Sequence, residues 1–140
     1  MKPCVFCSIV AGSTPVAFVL EEPNVFGFLD ASPVFAGHVL LIPREHHETL
    51  TDLPTVTLNE VFLAVQRVAV GVKLAMESDG TWVSMNNTVS QSVPHLHVHV
   101  VPRRRKDGLR GFYWPRQKYG SENEMFEIAA KIRAAIPAAT

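Results

Sequence analysis

The chain has 140 residues, the size of one ordinary globular domain, and 47% of them are hydrophobic, enough for a real core. Thirteen Lys and Arg balance thirteen Asp and Glu, so no global field selects nucleic acid or an acidic surface. No apolar run reads as long enough to span a bilayer, and residues 1–12 lack a full signal-peptide core, which points to a cytoplasmic protein without a membrane partner.

Taken in chain order, the first feature is Cys4-Val5-Phe6-Cys7, with both of the chain's cysteines. This is the spacing of two zinc-bound thiolates. A redox pair is the main rival, but no strand leading into a CxxC helix precedes it. Two buried thiols are the plain alternative. Val16 to Glu21 and Val25 to Leu29 read as short strands broken by Glu22-Pro23-Asn24. His38 to Ile42 is a strongly apolar strand that Pro43 ends. Thr57 and Glu60 suggest a capping box for a helix through Leu58, Val61, Phe62, Val65, Val68, Ala69 and Val72 to about Met76. Thr81 to Met85 is another strand, Asn86 to Ser92 a polar loop, and His95 to Val101 a strand after Val93-Pro94. Ser121 and Glu124 suggest a second capping box, before a helix with Met125, Ile128, Ala129, Ile132 and Ile136 on one face. Strands and helices do not alternate regularly. The expected class is α+β, with a mainly antiparallel sheet of about five strands, a long helix and a C-terminal helix, in one domain spanning 1–140.

Residues 103–120 form a basic and aromatic tail before the last helix. Arg103, Arg104, Arg105, Lys106, Arg110, Arg116 and Lys118 face one acid, Asp107, around Phe112-Tyr113-Trp114. Such a segment can hold a polyphosphate leaving group and a second base; a solvated loop or a dimer contact explains it equally.

All six histidines fall in two segments, His38, His46 and His47 in one and His95, His97 and His99 in the other. Side chains alternate along a strand, so His95, His97 and His99 share one face and Leu96, Val98 and Val100 the other. A row of three imidazoles is not explained by core packing. It could be a histidine-rich solvated face, a three-histidine zinc site with an open position for water, or a nucleophilic centre in which a neutral imidazole nitrogen attacks phosphorus. Two thiolates need two more ligands, and His46 or His47 with one member of the row would complete Cys2His2.

His95-Leu96-His97-Val98-His99-Val100-Val101 resembles the signature of the histidine-triad family, His-φ-His-φ-His-φ-φ with φ apolar. Three further segments resemble that family in the same order: Phe28-Leu29-Asp30-Ala31-Ser32-Pro33, Gly37-His38-Val39-Leu40-Leu41-Ile42-Pro43-Arg44-Glu45-His46, and Gln91-Ser92-Val93. Cys4-x-Phe6-Cys7 is similar to the zinc-bearing members.

The resemblance implies a nucleotide hydrolase acting at the α-phosphate. His97 would form a nucleotidyl-imidazole intermediate that water hydrolyses. His99 would hydrogen-bond the phosphate, Ser92 would help the leaving group depart, and His38 would orient the row. Asp30 would accept ribose hydroxyls, Asn86 (or its neighbour Asn87) would lie by the phosphate, and Gln91 would precede the triad in the substrate site. Phe6, Ile9 and Phe28 would sandwich a purine base of an AMP- or GMP-type ligand; ordinary core is the alternative for these three. Cys4, Cys7, His46 and His95 would hold a structural Zn2+, with His47 the runner-up ligand. A homodimer is implied, and nucleic acid is not an expected partner. Histidine at 99, where the uridylyltransferases of galactose metabolism place glutamine, favours hydrolysis of a nucleoside phosphoramidate, an acyl-nucleotide or a dinucleoside polyphosphate. The alternatives are a dinucleoside polyphosphate phosphorylase, a nucleotide-binding regulatory module with negligible turnover, and a zinc hydrolase using all three triad histidines.

Overall fold

The computed structural model describes residues 3–110 and 116–138. The aromatic triplet Phe112-Tyr113-Trp114 lies outside the described residues. The elements are α1 (Val5–Val10), β1 (Phe18–Glu21), β2 (Val25–Leu29), β3 (Val39–Pro43), α2 (Thr55–Ala75), β4 (Gly80–Ser84), β5 (Val98–Arg103) and α3 (Glu122–Ala135), with a 3-10 turn at Leu50–Asp52. The strands form one antiparallel sheet in the order β1-β2-β3-β5-β4, the expected α+β architecture. The chain divides into two compact units, Met1–Asp107 and Gly108–Thr140. The second contains α3, whose N-cap Ser121 Oγ accepts from the Glu124 N–H at 3.1 Å.

β3 explains the sheet. All five of its residues are buried, because both faces are covered. Val39 and Leu41 pack with Val61, Ala64, Val65, Val68 and Val72 of α2. Leu40 and Ile42 point the other way and join Phe6 and Ile9 of α1 with Phe26 and Phe28 of β2. β5 obeys the same alternation: Val98 and Val100 enter the α2 core, which leaves His97 and His99 on the α1 side. Burying side chains of this size contributes roughly 1.5–3 kcal/mol each.

Several local expectations change. β5 pairing begins at Val98, so His95 and His97 precede the ladder. They are held instead by a local bond from His95 N–H to the Val93 carbonyl (2.8 Å) and by one from Leu96 N–H to the His47 carbonyl (2.7 Å). Thr57 and Glu60 form no capping box. α2 starts three residues earlier, at Thr55 behind Pro54, and both Glu60 oxygens accept from Asn24 Nδ2, at 3.1 and 2.9 Å. A capping box does exist at Thr49 and Asp52, where it starts the 3-10 turn. α1 was not foreseen, since six residues without a side-chain cap leave little periodic signal.

One element among the described residues passes the length and composition test for a membrane span, as a core helix also can. α2 has 21 residues and a mean hydropathy of 1.2, long and apolar enough by length and composition to cross a bilayer. The helix nevertheless has a defined use here, because its Val61, Ala64, Val65, Val68 and Val72 stripe buries against the sheet.

Gly37 lies in the turn before β3 and packs against Met76, the C-cap of α2. Its φ is +94°, and a Cβ there would lie 2.6 Å from Met76 Cγ. Gly37→Ala should therefore destabilise the protein by about 1–3 kcal/mol through backbone strain and overpacking. Urea unfolding checks this, and an unchanged midpoint would show that the turn relaxes freely.

Candidate active site

The hydrogen bonds of three histidines define their tautomers. His97 Nδ1 lies 2.8 Å from the His95 carbonyl oxygen. A carbonyl only accepts, so Nδ1 carries the proton and Nε2 of the neutral ring keeps its lone pair. The opposite holds at His38, whose Nδ1 accepts from the Val34 N–H at 3.1 Å. Neutral His38 therefore carries its proton on Nε2, which lies 2.9 Å from His99 Nδ1. His99 then accepts at Nδ1 and keeps N–H at Nε2. The outcome is a lone pair on His97 beside an N–H donor on His99, with ring centroids 5.0 Å apart.

Burial disfavours charge on His38 and His99. It lowers the His38 pKa from its ordinary value, against the opposing pull of Asp30. Burial, with the neighbouring His97 and His38 rings, pushes His99 down to about 4. Asp30 sits at the edge: Oδ2 is 3.8 Å from His38 Nε2, while Oδ1 accepts from the Ser32 N–H at 2.8 Å. The Asp30 N–H donates to the His38 carbonyl at 2.9 Å, which closes the turn that presents both residues.

Beneath the row lies an aromatic wall. The Phe6 ring stands edge-on to His97 at 5.2 Å and to Phe28 at 5.6 Å. Phe6, Ile9 and Phe28 are all buried in one cluster, so they form a packed wall and not an exposed platform.

The second constellation comprises Cys4, Cys7, His46 and His95, whose ligand atoms all lie within 4.8 Å of one another. Cys4 Sγ is 3.4 Å from His95 Nδ1, Cys7 Sγ is 3.6 Å from the same atom, and Cys7 Sγ is 3.4 Å from His46 Nδ1. Sulfur and nitrogen on one tetrahedral zinc stand about 3.5 Å apart, given the usual bond lengths. The tautomer fits as well: His95 Nε2 donates to the Pro43 carbonyl at 2.8 Å, which leaves Nδ1 free to ligate. Burial and the neighbouring Cys4 raise the Cys7 thiol pKa, so a cation is what would hold two thiolates here. The residues fit zinc. His47 is not in the group; its Nε2 lies 3.5 Å from Glu45 Oε2.

Ser92 and Asn86 are exposed on the loop before the row. Gln91 lies on the same loop, with a hydrogen bond to the protein at each end of its amide. Oε1 accepts from the Thr88 N–H at 2.9 Å, and Nε2 donates to the Glu48 carbonyl at 2.6 Å. Asn87, the alternative to Asn86, accepts at Oδ1 from the Leu50 N–H at 2.7 Å. The 103–107 end of the basic segment is also committed. Arg103 pairs with Asp107 at 2.6 Å, Arg105 N–H donates to Asp79 at 2.8 Å, and the Arg104 guanidinium donates to the Met76 carbonyl at the end of α2. Sequence reasoning missed the Val34 N–H, since a main-chain donor leaves no mark in residue type.

Comparison with known proteins places these features in a lineage. The HIT domain model matches residues 11–106. "Protein hit" of Bacillus subtilis is 37% identical over 113 residues, covering 79% of this chain and 78% of that protein. The "Adenosine 5'-monophosphoramidase HNT1" of Saccharomyces cerevisiae is 35% identical over 118 residues, covering 82% and 72%. The crystal structure of a HIT family member from Bacillus subtilis superposes with a TM-score of 0.88 at 32% identity, over 99% of this chain and 100% of that one. A zinc-bound histidine triad family protein from Mycobacterium smegmatis superposes with a TM-score of 0.72 at 34% identity, over 95% and 97%. The chain belongs to the HIT family.

Proposed function

We propose that the protein hydrolyses a purine nucleotide derivative at its α-phosphate through a covalent intermediate on His97, and that a nucleoside phosphoramidate or acyl-nucleotide is the substrate class. The observation that carries this reading is the tautomer pair, a lone pair on His97 Nε2 beside an N–H on His99 Nε2. Relatives named as adenosine 5'-monophosphoramidase support the nucleotide and the P–N bond. The commitments of Arg103 and Arg104 to Asp107 and Met76 weigh against a polyphosphate leaving group held by that segment.

In this mechanism His97 Nε2 attacks the α-phosphorus, the bond to the leaving group breaks, and the leaving group departs with a proton that the exposed Ser92 hydroxyl donates and regains from solvent. The ring becomes cationic, and its Nδ1–H bond to the His95 carbonyl strengthens as charge develops. His99 Nε2–H donates to a phosphate oxygen. Asp30 Oδ2 accepts from the ribose, and the Phe6, Ile9 and Phe28 cluster backs the base. Water then attacks phosphorus and gives up a proton to solvent, the N–P bond breaks with its electron pair returning to His97 Nε2, and the nucleoside monophosphate leaves from a neutral ring.

Cys4, Cys7, His46 and His95 would hold zinc, which when bound supplies a closed structural tie between α1, the segment after β3 and the triad. Two unpaired thiols at that site accord with a reducing, cytoplasmic setting.

Mass spectrometry of the acid-sensitive adduct, trapped during turnover of an adenosine phosphoramidate, tests the covalent step. Wild type should carry one nucleotidyl group on His97, and His97→Ala should bind nucleotide with turnover down by at least ~1000-fold. Stripping the metal should lower the melting temperature first and turnover in proportion. Loss of turnover with folding intact would instead favour metal-activated water.

A pH dependence follows from His38 and His99. Both are lowered in the folded state, so the unfolded chain binds more protons as pH falls below the ordinary histidine value near 6.5. Their stabilisation is complete above that pH and is lost as pH falls towards about 4, where His99 titrates. Melting temperatures measured from pH 7 to 4.5 should decline, and less steeply in His99→Gln. Equal slopes would remove His99 from the account.

We further propose a homodimer. β4 is a sheet edge bearing exposed Val83, and α2 beside it exposes Val56, Leu63, Val70 and Leu74. Sedimentation equilibrium should give twice the chain mass, and Leu63→Glu should shift it towards monomer. A monomeric wild type at micromolar concentration would refute the dimer.

A further inference from the structure

The loop between β4 and the triad contains two strained residues. Thr88 has φ +69° and Ser90 has φ +61°, the left-handed region that non-glycine residues avoid, β-branched threonine above all. Such backbone persists only when its surroundings over-determine it. The surroundings here are side chains of the loop itself, reaching to the segment that follows His46. Asn87 Oδ1 takes the Leu50 N–H at 2.7 Å, and Gln91 bridges the Thr88 N–H at 2.9 Å to the Glu48 carbonyl at 2.6 Å. A third tie, Leu96 N–H to the His47 carbonyl at 2.7 Å, joins the same two segments beside the triad. Three donor–acceptor pairs therefore hold residues 87–96 against residues 47–50.

We propose that Asn87 and Gln91 are positioning residues that act as one clamp: they hold the strained loop, and with it Ser92, in register with His97, and neither carries specificity for the substrate. Gln91 spends one lone pair of Oε1 on the Thr88 N–H and one proton of Nε2 on the Glu48 carbonyl, which fixes the amide between the two segments. The clamp has a polarity that makes it testable. Asn87 is needed only as an acceptor, so an aspartate can replace it. Gln91 is needed as acceptor and donor at once, so a glutamate, which would face the Glu48 carbonyl with a second acceptor, cannot.

The consequence for catalysis rests on the nucleotidyl-transfer reading, so the test has one arm that does not. In that arm, amide hydrogen exchange is followed at Leu50 and Thr88 in the metal-loaded protein without nucleotide. Asn87→Ala and Gln91→Ala should each speed exchange at both amides. Asn87→Asp should restore protection and Gln91→Glu should not. In the second arm, kcat and KM are measured on two adenosine phosphoramidates with different leaving amines. Each alanine variant should lower kcat roughly five- to tenfold, the scale of one hydrogen bond, by the same factor for both amines and with KM within about twofold. The double alanine variant should fall by less than the product of the two single effects, because either loss opens the same clamp.

Unchanged exchange at both amides, or a Gln91→Glu variant as good as wild type, overturns the clamp. So does a Gln91 effect that changes with the leaving amine or sits in KM, since that marks a substrate contact. If wild type turns over neither amine, the catalytic reading fails, while the exchange arm still decides whether the clamp exists.

Discussion

His95 is fully buried, and the structure turns on how completely its polar atoms are used. Its ring donates from Nε2 to the Pro43 carbonyl, 2.8 Å away, which turns Nδ1 towards the two thiols. Its carbonyl takes the proton of His97 Nδ1 at 2.8 Å, and its own N–H closes a turn on Val93 at 2.8 Å. A buried imidazole with an unmet nitrogen would be costly. Here every polar atom has a use, and each use orients a different part of the molecule: β3, the thiol cluster, the His97 ring and the loop before it. The candidate metal site and the candidate nucleophile are thus consecutive uses of one residue.

Around that residue the sheet separates two tasks by parity. Odd positions of β3 and even positions of β5 bury against α2, while their neighbours face α1 and the histidines. The α2 side is aliphatic and supplies stability without polar atoms. The opposite side tolerates five histidines and two thiols because aromatic rings and main-chain carbonyls meet their needs.

Much of this was legible in the residues. The spacing of His95, His97 and His99 carried the row, and the continuous apolar run of β3 carried the strand at the centre of the sheet. Cys4 and Cys7 together with two histidine segments predicted the convergence of four ligands. What could not be read depended on the main chain. Whether His46 or His47 joins the thiols depends on the path after Pro43, and no composition rule distinguishes adjacent histidines. Gln91 read as a substrate contact because its position before Ser92 suggested one; its two bonds depend on where Glu48 passes. Thr57 and Glu60 had the spacing of a capping box, yet Glu60 met Asn24 from a turn far away in sequence, and a tertiary bond replaced the local one.

The chain of imidazoles begins at the amide of Val34, and that origin affects how it can vary. A side-chain donor could be exchanged, reversed or lost by a single substitution, and the proton order of His38 and His99 would change with it. A peptide N–H survives every replacement at position 34 except proline. The residue there is free to drift, while the orientation it imposes on the two rings is inherited with the backbone.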